Sequence, residues 1–159
     1  MKTKQAEKPV MRSPLNIYGG KARMVQYIMP LIYAADPVRY VEVCAGGAQL
    51  TFAMRKHKKE VINDINGNLV AFFRVLKTNP DALTRRITTT PFSHSEFKRA
   101  REIFFSKKKH SDIDRAWAAW AGCTMGFSHD PKSWGFDHSG KAERTLHNKR
   151  ETFKEMAEA

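Results

Sequence analysis

Gly46, Gly47 and Asp64 are spaced as a nucleoside-binding loop requires. Glycines just past a strand let the backbone approach a ligand, the next helix start offers N–H groups, and an acid about 20 residues on accepts ribose hydroxyls. The spacing here is Gly-Gly-Ala, not Gly-x-Gly-x-x-Gly. It therefore suits a ligand with one nucleoside and no pyrophosphate, a description that S-adenosylmethionine fits. Lys21, after Gly19-Gly20, stands at an expected helix start, where a cation opposes the helix dipole unless something negative is nearby. That conflict points to a ligand carboxylate or phosphate. The alternatives are a ligand-free α/β connection and a solvated lysine.

Positioning these groups requires a strand, a turn, a helix and a second strand. Tyr40, Val41 and Val43 make a β-type run, Leu50, Ala53 and Met54 recur at helical spacing, and Val61 and Ile62 resume the strand pattern. The strands are expected at about 39 to 44 and 59 to 63. Before them, Ala22 to Pro30 reads as a helix with Met24, Ile28 and Leu31 on one face. After them, Asn63 or Asn66 caps a helix carrying Leu69, Phe72, Phe73 and Leu76, and a second helix covers Asp81 to about Ile87. Thr88-Thr89-Thr90-Pro91 breaks helix and is the expected boundary. Ser93 and Glu96 form a capping box for a helix reaching Lys107-Lys108-Lys109. A further helix runs from about Ser111 to Thr124, with Ile113, Trp117, Trp120 and Ala121 inward. Residues 122 to 144 lack a period and read as a long loop, and Leu146 to Ala159 as a weakly amphipathic helix.

The 159 residues allow one domain, or a domain plus part of another. Lysine and arginine number 28 against 16 acids, a formal net charge of +12, which suggests a polyanionic partner or, more blandly, solubility alone. Cys44 and Cys123 offer no disulfide framework, and Cys44 reads as a buried small hydrophobe. No apolar run matches a membrane span and no signal core precedes Pro14, so a cytoplasmic location is expected. Residues 1 to 12 read as a flexible basic arm.

Three stretches in order, PLNIYGGKARM at 14–24, YVEVCAGGAQLTFA at 40–53 and EVINDINGNLVAFFRVLK at 60–77, together resemble the Dam-like, phage-type class of DNA adenine-N6 methyltransferases. TPFSHSEFKRA at 90–100 also resembles a segment of that family. The resemblance implies an α/β fold, a partial Rossmann-like methyltransferase sheet followed by a helical segment. Residues 13–90 would be the S-adenosylmethionine-binding part and 91–159 a mostly helical target-recognition segment. It implies that Lys21 and the Ile17-Tyr18 pair lie beside the methionine end of the cofactor, that Gly46 and Gly47 approach it, and that Asp64 takes its ribose. Gly20 and Glu42 belong to the same motifs. Many relatives have Pro-Phe where this chain has Val43-Cys44, and an aromatic at Ile17.

In relatives an Asp-Pro-Pro-Tyr motif grips the methyl-accepting amine, and this chain has no such stretch. Asp130-Pro131-Lys132-Ser133-Trp134 is the near match. The chain is therefore expected to be the cofactor-binding part of a site-specific enzyme that does not methylate double-stranded DNA alone. With two expected strands for several apolar helix faces, a second polypeptide or self-association is expected to complete the sheet. Lys107, Lys108, Lys109 and Trp134, with Phe127 and Phe136 nearby, are the nucleic-acid-contact candidates. The rival reading is a non-catalytic nucleic-acid-binding module, distinguished by cofactor binding. A third takes Asp137-His138 and His147-Asn148-Lys149 as a metal nuclease fragment, but the spacing forms no recognised ligand set.

Overall fold

The computed structural model describes residues 11–135 and residues 147, 148, 151 and 153. The chain forms two compact units, Met1–Ser13 with Gly19–Ile65, and Pro14–Tyr18 with Asn66–Ala159.

The first is an α/β unit. A 3₁₀ turn, Lys21–Arg23, leads into α1 (Val25–Ala35), followed by β1 (Arg39–Glu42), α2 (Gln49–Ala53) and β2 (Lys59–Ile62). β1 and β2 pair in parallel, with Val41 opposite Val61 and Glu42 opposite Ile62. Parallel neighbours need a crossover, and the loop with α2 supplies it. Met29 of α1 packs with Leu50, Ala53 and Met54, joined by Val25, Ile28 and Ile32. That stripe differs from the expected one: Met24 and Leu31 are exposed, because burial follows positions 25, 28, 29 and 32, the i, i+3, i+4, i+7 face. Pro30 lies inside α1, where it supplies no backbone donor. Cys44 is exposed, not buried: it lies with exposed Val43 in the turn that follows β1 and not in the strand.

The second unit is helical: α3 (Gly67–Thr78), α4 (Pro80–Thr89), α5 (His94–Phe105) and α6 (Asp112–Met125). Local caps set each start. Asn66 Oδ1 accepts from the Asn68 N–H, Asn79 from Ala82, Ser93 Oγ from Glu96 and Ser111 Oγ from Asp114. α6 is buried on every side from Ala116 to Cys123, not on one face alone. Leu69, Phe72 and Val75 of α3, Leu83 and Ile87 of α4 and Phe97 and Ala100 of α5 share one core with it. The boundary expected at residues 90 and 91 therefore falls inside the helical unit. Thr90 itself is buried there: its Oγ1 accepts from Trp117 Nε1 at 2.8 Å and donates to the Arg86 carbonyl at 2.6 Å. The Arg86 and Arg99 guanidiniums each lie 4.8 Å from the centre of the Trp117 ring, so this buried indole has cations as well as apolar neighbours.

Residues 126–135 are not an open loop. A 3₁₀ turn at Phe127–His129 is closed by an antiparallel bridge between Gly126 and Trp134. Phe127 N–H donates to Ser133 O and Gly135 N–H to Met125 O, both at 2.9 Å. Gly126 has to be glycine, since a Cβ would overlap the Asp130 and Gly122 carbonyl oxygens. The other loop positions, including Phe136, Asp137 and His138, lie outside the described residues, as do residues 1–10 of the arm. Of the expected last helix, the described residues 147, 148, 151 and 153 are helical, and Phe153 is buried with its ring 6.2 Å from that of Phe72.

Candidate functional site

In the α/β unit the candidate loop is fastened by two carboxylates. Asp64, just past β2, accepts the Gly46 N–H at 2.7 Å. Gly46 has φ +55°, a conformation that costs a Cβ-bearing residue, so glycine is the natural occupant. Ala48 also takes a left-handed φ as α2 begins. Gly47 is buried, and its carbonyl accepts from Ser13 Oγ. Asn63 continues the strand pairing beyond β2: its N–H donates to Glu42 O, and its carbonyl accepts from Ala45 N–H, both at 2.9 Å.

Glu42, at the end of β1, is 4% exposed. Its Oε2 accepts from the Thr51 N–H at 3.1 Å and from the Thr51 hydroxyl at 2.6 Å, and its Oε1 lies 3.4 Å from Lys21 Nζ. Lys21 also donates to the Cys44 carbonyl. The negative partner that the sequence sought for Lys21 is thus, within the protein, Glu42. A buried carboxylate needs such compensation, and here a helix start, a hydroxyl and an ammonium supply it. Tyr40, beside this loop, has its phenol pKa pushed up to about 12 by burial and by the charges of Glu42 and Glu60.

The geometry therefore brings Lys21, Glu42, Gly46, Gly47 and Asp64 into one hydrogen-bonded loop, with Gly20 as the exposed residue that begins the 3₁₀ turn. Ile17 and Tyr18 belong to the helical unit, where Ile17 packs against the core and Tyr18 N–H donates to His129 O at 3.1 Å. One residue of this neighbourhood escaped the sequence reading. Thr51 ties α2 to Glu42, and only its place in the first turn of a helix hinted at that. Ile65, directly after Asp64, is fully exposed although isoleucine is usually buried.

In the helical unit, Lys107, Lys108 and Lys109 follow α5 and are exposed. Trp134 is half-buried, its ring 5.0 Å from Phe92, 5.5 Å from His94 and 5.4 Å from Phe97. Asp130 Oδ1 accepts the Lys132 N–H at 3.0 Å. Among the described residues no group of three or more His, Cys, Asp or Glu side chains could hold a metal ion, and no helix is long and apolar enough to cross a membrane.

Comparison with known proteins bears on the same stretches. The chain is 30% identical over 104 residues to modification methylase StsI of Streptococcus sanguinis, an alignment covering 65% of this chain and 16% of that protein. The family model of the D12 class N6 adenine-specific DNA methyltransferases matches residues 18–154. That match takes in the glycine loop, β1, β2 and α3 to α6, and on it the chain belongs to the D12 class of N6 adenine-specific DNA methyltransferases.

Proposed function

We propose that the α/β unit binds S-adenosylmethionine and that β1 and β2 are two strands of a Rossmann-like methyltransferase sheet. One observation carries the reading: Asp64 and the Gly46 N–H are hydrogen-bonded at the carboxyl ends of two parallel strands. Ligands of open α/β sheets sit at that end. A carboxylate can accept about four hydrogen bonds, so Asp64 has the chemistry to take ribose hydroxyls. Ile65 offers an exposed apolar surface next to it, suited to the flat face of adenine. Gly47 and Gly20 let the backbone come close, while Lys21 and Glu42 hold the loop and present charge to the amino acid end of the ligand.

The substrate of the family chemistry is adenine in double-stranded DNA, and Lys107, Lys108, Lys109 and Trp134 belong to the unit proposed to meet it. We further propose that these 159 residues alone do not transfer a methyl group. The adenine amine is a poor nucleophile, so a site must accept its hydrogen bonds and hold the flipped base on an aromatic face. No Asp-Pro-Pro-Tyr stretch is present, and in the near match Asp130 and Trp134 are engaged in their own turn and core. Val41 and Val61, paired across the sheet, and Val43 beyond them are exposed. An apolar sheet face of that kind supports completion by a second polypeptide or by self-association.

Calorimetry with S-adenosylmethionine is the test. Binding is expected, with Asp64→Ala weakening it by about 2 kcal/mol, roughly 30-fold, as charged hydrogen bonds to the ribose are lost. Folded protein giving no heat at millimolar ligand would overturn the reading and favour a nucleic-acid-binding module.

A further inference from the structure

Where the carboxyl end of α5 meets the amino end of α3, the helical unit holds a cavity of about 230 Å³. Lys108, Lys109 and Arg115 line it, and among the described residues no carboxylate does. His110 lines it too, and its Nε2 is buried without a hydrogen-bond partner among the described residues. Gly67, the first residue of α3, is the wall against which Arg115 lies: a Cβ at position 67 would collide with the guanidinium. Glycine here lets a cation reach the amino end of a helix, which is the unfavourable end of the dipole. Arg115 is aimed by Asn68, whose Oδ1 accepts from Arg115 Nε at 3.1 Å and whose Nδ2 donates to Phe104 O at 2.7 Å. Its ion-pair partner Asp112 stands at 3.8 Å and is closer to Arg74, at 2.9 Å. Three cations and a helix start around one cavity repel one another, a bound anion relieves those repulsions, and the unpaired imidazole nitrogen stands beside it as a hydrogen-bonding group.

We propose that this cavity seats a single phosphate group of a DNA strand, held by Arg115, Lys108 and Lys109 with His110 as a further hydrogen-bond partner. The choice of DNA as the source rests on the methyltransferase reading above; the phosphate chemistry rests on the cavity. Arg115 presents a planar fork of donors that matches phosphate oxygens, while the lysines add point charges. The basic triplet is thereby divided: Lys108 and Lys109 line the cavity and Lys107 does not.

The experiment pairs two titrations on the full chain and on two variants, Lys108→Gln with Lys109→Gln, and Lys107→Gln alone. Inorganic phosphate followed by NMR is expected to shift the Arg115 and His110 side-chain signals and the Gly67 amide. The shifts should vanish in the double variant and persist in Lys107→Gln. Binding of a short duplex, measured against salt, is expected to lose about 0.9 from its logarithmic slope in the double variant, the loss of one phosphate contact. Phosphate should compete with the duplex for the same signals. A lysine-107 variant that matches the double variant in both titrations would overturn the seat in favour of a diffuse basic surface. Phosphate shifts without competition from the duplex would overturn DNA as the source. Phosphate shifts together with no duplex binding by any form would sink the DNA reading itself and leave the cavity's anion chemistry standing. Unshifted signals with normal duplex binding would overturn this inference alone.

Discussion

Replacing Lys21 with methionine keeps most of the side-chain stem and removes the charge that faces buried Glu42. The ammonium lies 3.4 Å from Oε1, with the lysine side chain 34% exposed and the glutamate 3%. At that distance two unit charges attract by about 5 kcal/mol at an effective dielectric of 20 and by about 1 kcal/mol in water. The partly exposed lysine places the pair toward the lower figure, so a coupling of about 1 to 2 kcal/mol is expected between the two sites. Glu42→Gln should cost more than Lys21→Met, about 2 to 3 kcal/mol, because both Thr51 donors bond Oε2 and a carboxamide that keeps its oxygen there turns its NH2 donor on the Lys21 ammonium. The assay is a double-mutant cycle in urea followed by circular dichroism. Tryptophan fluorescence serves as the internal control, since Trp117, Trp120 and Trp134 all lie in the helical unit and should be little affected. Additive single effects, with coupling inside an error of about 0.3 kcal/mol, would refute the argument that Glu42 is what Lys21 is held for, and would return Lys21 to the role of a ligand contact alone.

Thr90→Val removes the acceptor of the Trp117 indole N–H in a buried setting, so a loss of about 1 to 3 kcal/mol is expected by denaturation monitored through tryptophan fluorescence. An unchanged midpoint would show that the indole finds another partner. Gly126→Ala drives a methyl into backbone oxygens, and a similar loss of about 1 to 3 kcal/mol should accompany weakened protection of the Gly135 amide in hydrogen exchange. Tyr40 holds its proton more tightly folded than unfolded, so its contribution is fully present below pH about 10 and disappears as pH rises toward about 12. Tyrosinate absorbance should show one of the four tyrosines titrating late, and Tyr40→Phe should remove that phase. Four tyrosines titrating together in the folded protein would contradict it.

What the sequence determined by itself is what short-range chemistry controls. Asn66, Asn79, Ser93 and Ser111 each cap a helix through a backbone N–H two or three residues away, so helix starts could be read from neighbours in the chain. The β-branched runs and the Gly46-Gly47 turn marked a strand, a crossover and a second strand, and the parallel register of β1 and β2 follows. The ordered motifs carried the family. Tertiary structure alone decided what depends on partners distant in sequence. Lys21 finds Glu42 across 21 residues and Trp117 finds Thr90 across 27, and no local pattern encodes either distance. The face of α1 that is buried depended on where Leu50 and Met54 would lie, which left Met24 and Leu31 outside. α6 reads as one-sided because alanine and glycine carry almost no periodic signal, yet those small residues are what let other helices close around it. The cavity beside Gly67 was invisible for the same reason. Its members come from the start of α3, the end of α5, the connection that follows it and the first half of α6, and only packing brings a guanidinium, two ammonium groups and a helix start to one place.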